Sequence, residues 1–242
     1  MTLPTFTKEA PPSVFEDLFE IFYAPRKVFE RRRETPAFGV ALLVFVGLLV
    51  GLTLAFKGLS EPVIDAEFQR GMAKAMRQNP QLTQEQMLAG KAWVQKFQVF
   101  LVAGYALLAP LLLGLALWLV GKVMDSKADL EQAMMVATYA MFPRVLESIL
   151  GAVQLLLLPD TAITSRYSTS FGIGRFLDPA TTSDFVLGAL GRVDLFTLWV
   201  TALLAIGMMV MGRLSAGRAA AVGAMMWVVG LAPLVPALFQ GG

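Results

Sequence analysis

The chain of 242 residues contains no cysteine and no histidine. The first absence excludes disulfides and thiolate chemistry and leaves the redox compartment unreadable. The second removes imidazole metal ligands and histidine proton shuttles, and with them the zinc-protease motifs. Charge is scarce as well: Asp, Glu, Lys and Arg make up 16% of the residues, against roughly 25% in soluble domains. A formal net charge of +2 implies no strong electrostatic partner. There is no basic stub followed by an apolar stretch at the start, so no signal peptide is expected.

What fills the space is apolar: 56% of the residues, with a mean hydropathy of +0.64. Residues 35–56, 97–121, 195–212 and 219–242 carry no charge over 22, 25, 18 and 24 positions. Each reaches the ~18 residues needed to cross a bilayer. A further run, about 132–158, is interrupted only by Arg144 and Glu147. The expected fold is an all-α integral membrane protein with five transmembrane helices, because helices satisfy their backbone groups internally in hydrocarbon. The spans are read at 37–56, 97–121, 132–158, 195–212 and 219–239. A soluble helical bundle would need far more polar surface to cover these runs.

Residues 1–36 form an expected cytoplasmic amphipathic segment ahead of a membrane domain at 37–239. Residues 1–11 have few anchors and read as unstructured. Ser13 and Glu16 make a capping box for a helix whose Phe15, Leu18, Phe19 and Phe22 follow helical spacing. Pro25 marks a break, and RKVFERRRE offers a second short helix. Two placements are open for this pair: on the membrane surface with cations near headgroups, or solvated and packed on the protein's own loops. The basic run Arg31–Arg33 is flanked by Glu30 and Glu34, so it reads as a topology signal and not as a nucleic-acid site.

Two extramembrane loops are expected, 57–96 and 159–194. In the first, Ser60 starts a helix that Asn79-Pro80 stops, and Thr83 with Gln86 caps another running into the second span. In the second, FGIG around Gly172 and Gly174 lacks the strand, third glycine and acidic partner of a phosphate loop and reads as a turn. Gly47 and Gly51 in the first span, and Ser215, Ala219 and Gly223 before the fifth, are small-residue faces for close helix approach. Nine Lys and Arg lie near the span ends on the N-terminal face and seven, more widely spread, on the other. That density predicts a cytoplasmic N-terminus and an outside C-terminus.

The segment AMFPRVLESILGA is the chemical anomaly. Arg144 near mid-bilayer would cost about 2.5–3.5 kcal/mol on insertion scales unless compensated. Glu147 lies one turn away on the same face, and Gly151 and Gln154 continue the stripe. Pro143 frees the Tyr139 carbonyl from its helical bond, which Thr138 or a water could satisfy. Three readings are open: an internal structural ion pair, a polar binding or permeation site, or a helix break that lets Arg144 reach headgroups. Candidate polar-site residues are therefore Arg144, Glu147, Gln154, Pro143 and Tyr139.

Four stretches carry a resemblance over about 13–239: FEIFYAPRKVFE (19–30), YAMFPRVL (139–146), VDLFTLWVTALLAIGM (193–208) and SAGRAAAV (215–222). The chain resembles the Yip domain family, multi-pass proteins named for interaction with Ypt/Rab GTPases, and looks closest to its bacterial branch. The resemblance implies five spans, a cytosolic N-terminus and a bacterial cytoplasmic (inner) membrane. It marks Tyr23, Pro25, Arg26 and Lys27 as candidate partner or membrane-surface contacts. The eukaryotic Asp-Leu-aromatic-Gly-Pro box is reduced here to Tyr23-Ala24-Pro25, and Thr138 replaces the Gly before the family's Tyr. These departures, with the bacterial setting without Rab proteins that the resemblance implies, make GTPase binding doubtful.

The expected function is a non-enzymatic membrane protein acting as scaffold, partner-binding or membrane-organising factor. Its partners would be the bilayer, other membrane proteins or further copies of itself, with no cofactor and no nucleic acid. The alternative is a small-solute or ion transporter or channel using the Arg144–Glu147 site, although no inverted repeat is visible. Intramembrane catalysis is disfavoured: only Glu147 offers a carboxylate at depth, and Ser148 has no His or Lys nearby.

Overall fold

The computed structural model describes residues 13–79, 81 and 83–239. The expectation for residues 1–11 lies outside them. The described residues form α1 (Val14–Glu20), α2 (Pro25–Arg31), α3 (Phe38–Ala55), α4 (Glu61–Gln78), α5 (Gln84–Val123) and α6 (Leu130–Ala140). There follow α7 (Pro143–Leu157), α8 (Asp184–Gly191), α9 (Leu195–Met211), α10 (Ala216–Val229) and α11 (Val235–Phe239). Short 3₁₀ turns join several of them, and an isolated backbone bridge links Gly172 and Asp194.

Among the described residues, four helical stretches are long and apolar enough to cross a membrane: Phe38–Ala55, Gln84–Val123, Leu130–Leu157 and Ala216–Ala237. The fifth apolar helix, α9, has 17 residues and falls short of that length. The described fold is thus all-helical with four candidate spans, not a demonstrated five. The helix α5 runs unbroken for 40 residues, about 60 Å at ~1.5 Å per residue. It starts on the Thr83–Gln86 capping box and carries Pro110 inside, on its buried face.

The bundle is held by close packing of α5 on α6, α9 on α10 and α3 on α5. Glycine permits the approach where it is tightest. A Cβ on Gly114 would sit 2.8 Å from the Met134 Cα, and one on Gly207 would overlap the Val136 methyls. A Cβ on Gly223 would meet Ala205 and the Thr201 carbonyl of α9, and Ala219 is buried, whereas Ser215 is exposed and caps α10. The Gly47–Gly51 face packs on none of the described residues: a Cβ at either position meets nothing within 4 Å among them. The end of the bundle where α5 stops and α6 begins is closed by a Lys127 N–H to Gly212 carbonyl bond of 3.0 Å.

Two features differ from a plain reading of the sequence. The run 132–158 is two helices meeting at Met141–Phe142. The Phe142 N–H bonds the Tyr139 carbonyl at 3.2 Å, and Pro143 opens α7 at its first position, where a missing N–H does no harm. Thr138 does not serve the Tyr139 carbonyl; its hydroxyl donates to Met134 O at 2.8 Å. The N-terminal pair α1–α2 is a hairpin whose apolar inner face packs into the core. Leu18, Ile21, Val28 and Phe29 join Phe45, Tyr139 and Phe142 in one cluster.

Candidate functional site: two charged clusters in the helical bundle

The hairpin carries the first cluster. Asp17 sits on the inward face of α1 and is completely buried. An isolated buried carboxylate would be prohibitive, and the sequence supplies two guanidiniums from the end of α2. Arg32 Nε bonds Asp17 Oδ2 at 2.5 Å, and Arg31 bonds Asp17 Oδ1. Arg31 also reaches Glu20 at 2.5 Å. Desolvation alone would lower the Arg31 pKa; the hydrogen bonds and charges of Glu20 and Asp17 outweigh it and raise the group above its ordinary value. Tyr139 on α6 is buried beside this cluster, and its hydroxyl makes no hydrogen bond of ordinary geometry among the described residues. The chain then leaves α2 through Arg33, whose carbonyl accepts from Gln132 Nε2 at 2.9 Å. These bonds tie the hairpin to the helices.

The outward face of the hairpin is different in kind. Tyr23 is 74% exposed at the tip. Pro25 opens α2, Arg26 pairs with Glu30 at 2.8 Å, and Lys27 is exposed beside them. Tyr23, Arg26 and Lys27 are therefore presented outward, whereas Pro25 is partly covered.

The second cluster lies where α6 gives way to α7. Arg144 donates to Glu147 Oε2 at 2.6 Å and to Thr197 Oγ1 at 2.9 Å. Thr197 is in the first turn of α9, which Asp194 caps: its Oδ1 accepts from Phe196 N at 2.9 Å and its Oδ2 from Phe171 N at 2.9 Å. Arg144 thus lies level with one end of α9, not its middle. Gln154 is not part of this set. Its amide donates to the Thr169 carbonyl at 3.1 Å and holds the second loop. Pro143 and Tyr139 are buried, the first as the opening residue of α7 and the second beside Asp17.

Sequence reasoning missed Arg192, Asp194 and Thr197. Asp194 had a signal, an Asp immediately before an apolar run. Arg192 had none: it donates to Trp227 O at 3.1 Å, its guanidinium lies 5.7 Å from the Trp227 ring, and Trp227 Nε1 donates back to Arg192 O at 3.3 Å. Burial lowers the Arg192 pKa, and the Arg144 charge acts in the same direction. A cavity of about 1470 Å³ lies elsewhere, between α4 and the second loop, and a recess of about 520 Å³ lies beside Phe171 and Asp194. Neither is lined by Arg144 or Glu147. No group of three or more His, Cys, Asp or Glu able to hold a metal occurs among the described residues.

Long apolar helices and a core shared between them define a polytopic helical membrane protein. The Yip1 domain family model matches residues 19–235, and the chain belongs to that family. No curated protein and no solved structure matches it.

Proposed function

We propose that the chain is a non-enzymatic, five-span protein of a bacterial cytoplasmic membrane that scaffolds membrane partners or organises the bilayer. Its N-terminus is cytoplasmic and its C-terminus outside. The observation that carries this is the closure of the intramembrane charges on the chain itself. Arg144 is taken up by Glu147 and Thr197, and Gln154 by the loop backbone, so among the described residues these groups form no open polar row. Meanwhile Tyr23, Arg26 and Lys27 are held outward on a hairpin anchored by a buried carboxylate, which suits presentation to a partner or to headgroups. The fifth span is α9: at ~1.5 Å per residue its 17 residues reach about 25 Å, close to the thinner biological bilayers.

Purified protein reconstituted into vesicles tests this. The full chain should alter vesicle size or shape, and a variant lacking residues 13–34 should lose the effect. Solute and ion flux should stay at background. Flux above background that disappears in Arg144→Ala/Glu147→Ala would favour a transporter instead. Single cysteines at Lys127 and Ala180 should label from opposite sides of a sealed vesicle.

A further inference from the structure

The second loop returns to the bundle at the Leu195 end of α9. Gly172 and Asp194 form an antiparallel bridge. The Ile173 N–H bonds the Val193 carbonyl at 3.1 Å, and the Leu195 N–H bonds the Phe171 carbonyl at 3.4 Å. Asp194 Oδ2 braces the bridge by accepting from the Phe171 N–H at 2.9 Å. The Phe171 ring meets Phe196 edge-on, with centroids 5.3 Å apart. Gly172 is required for so close an approach, because a Cβ there would overlap the Val193 carbonyl oxygen. Since the pair is antiparallel, the chain after Gly172 runs past Val193, away from the body of α9. The short turn Ile173–Phe176 is thereby fixed just beyond the helix's first residue.

Its surface is unlike that of an ordinary polar loop. Ile173, Arg175 and Phe176 are all exposed, Phe176 by 82%. Leu195 and Leu198, in the first turn of α9, are exposed as well. One residue on, Trp199 is covered by the Phe22 ring of the hairpin tip, edge-on with centroids 5.8 Å apart. Between the turn and the helix lies the recess of about 520 Å³, lined by Ile173, Arg175, Phe176, Leu195 and Leu198 beside the bridge. Its charged members are Arg175 and Asp194. Asp194 is buried, and both of its carboxylate oxygens accept backbone N–H groups. Arg175 makes no ion pair and no side-chain hydrogen bond among the described residues; its guanidinium stands 5.9 Å from the Phe176 ring.

The order of these groups along the helix axis matches that of a phospholipid. An uncompensated cation stands beyond the helix end, exposed apolar side chains flank the first turn, and the apolar helix continues beneath. At a span's end, apolar and aromatic side chains meet the upper acyl chains and a neighbouring cation meets the phosphates. Arg175 lies three residues from the bridge, within about 6 Å of it at ~2 Å per residue. Its guanidinium fork suits phosphate oxygens. A soluble partner would have to displace lipid from Leu195 and Leu198 to occupy the same place.

We propose that the recess between the Ile173–Phe176 turn and the first turn of α9 binds an anionic phospholipid. Arg175 holds the phosphate, and Ile173, Phe176, Leu195 and Leu198 hold the upper part of one acyl chain. The site rests on the reading of α9 as a span and not on the scaffolding role.

The chain has no native cysteine, so single labels need no background removal. A bimane fluorophore is attached to Phe176→Cys, Ala180→Cys, Ala202→Cys or Leu108→Cys, all exposed positions, in the full chain. Each variant is reconstituted into mixed phosphatidylcholine and phosphatidylglycerol vesicles in which one lipid or the other carries bromine, a contact quencher, on its acyl chains. Brominated lipid should quench Phe176 severalfold more than Ala180, which lies in the same loop. At Ala202, one turn below Leu198, phosphatidylglycerol should quench severalfold more than phosphatidylcholine at equal fraction. At Leu108 on α5 the two should quench alike. Arg175→Gln should remove the preference at Ala202 and leave quenching by phosphatidylcholine unchanged. Quenching at Phe176 no stronger than at Ala180 would overturn the site and leave α9 as a span. So would a preference at Ala202 that is absent from the native chain or survives Arg175→Gln. A preference abolished by inorganic phosphate would also overturn it, by marking a site for a soluble anion. No quenching at Ala202 by either lipid would overturn the reading of α9 as a span, and the site with it.

Discussion

Replacing Asp17 by Asn should release the N-terminal hairpin without unfolding the bundle. The carboxylate is fully buried and takes a charge-assisted hydrogen bond from each of Arg31 and Arg32. Bonds to charged groups contribute about 1.5–3 kcal/mol each, which sets a range of about 3–6 kcal/mol for the pair. Two facts pull the value to the lower end. The Arg31 and Arg32 side chains keep 28% and 11% of their surface, so water returns to them, and Arg31 keeps Glu20. About 3 kcal/mol corresponds to a roughly 100-fold larger population of the undocked hairpin. Hydrogen exchange in detergent or nanodiscs reads this directly. The amides of Ile21 and Val28, bonded to the Asp17 and Ala24 carbonyls, should exchange about two orders of magnitude faster. The amides of α9 should be unchanged. Glu30→Gln, which removes only the exposed pair with Arg26, should shift hairpin exchange by less than about 1 kcal/mol. Hairpin exchange in Asp17→Asn no faster than in Glu30→Gln would refute the view that the buried carboxylate anchors the element.

Three further outcomes are expected. Thermal stability of Arg144→Ala, Glu147→Ala and the double variant should show a coupling of about 1–2 kcal/mol, since the pair is only about a quarter exposed and charge-assisted; strict additivity would count against the pair. Gly207→Ala should lose about 1–3 kcal/mol by pushing Val136, whereas Gly47→Ala should stay within about 0.5 kcal/mol in monomeric protein, by differential scanning fluorimetry. Asp184 is held below the usual carboxylate range, first by the hydrogen bond from Lys74. The unfolded state therefore binds a proton before the folded one as pH falls, so this contact's contribution is complete above the unfolded pKa of about 3.9 and is lost as pH drops through the folded value. With both side chains more than a third exposed, it is worth about 0.2–1 kcal/mol. Proteolytic release of the α4–α8 contact should rise at low pH in the native protein and not in Lys74→Gln.

The parts of this fold that were legible in the sequence are those enforced locally. A bilayer demands consecutive apolar residues, so the long runs marked the four candidate spans whatever they pack against, and only the run at 195–212 gave a shorter helix. Capping boxes at Ser13–Glu16 and Thr83–Gln86 close within one turn and announce their helices. The Arg144–Glu147 pair closes over three residues, and its distance follows from helical spacing. What could not be read depends on turns folding back. Asp17 reads as one more polar residue on an amphipathic helix, and Arg31 with Arg32 as a topology signal. Their bonds span 14 and 15 residues across a turn and leave no periodic trace. Gln154 shares a helical face with Arg144, yet the second loop brings Thr169 to it first. The Arg192–Trp227 contact joins positions 35 residues apart through tertiary packing alone.

The docking site of the hairpin also imposes an order of events on biosynthesis. Phe22 and the charged trio around Asp17 leave the ribosome first, but Trp199, which receives the tip, is made roughly 180 residues later. At translation rates of about 5–20 residues per second, the segment waits on the order of 10–35 s with its ion pairs unshielded. A segment synthesised early is thus late to find its place, and its docking reports that α9 has already been made.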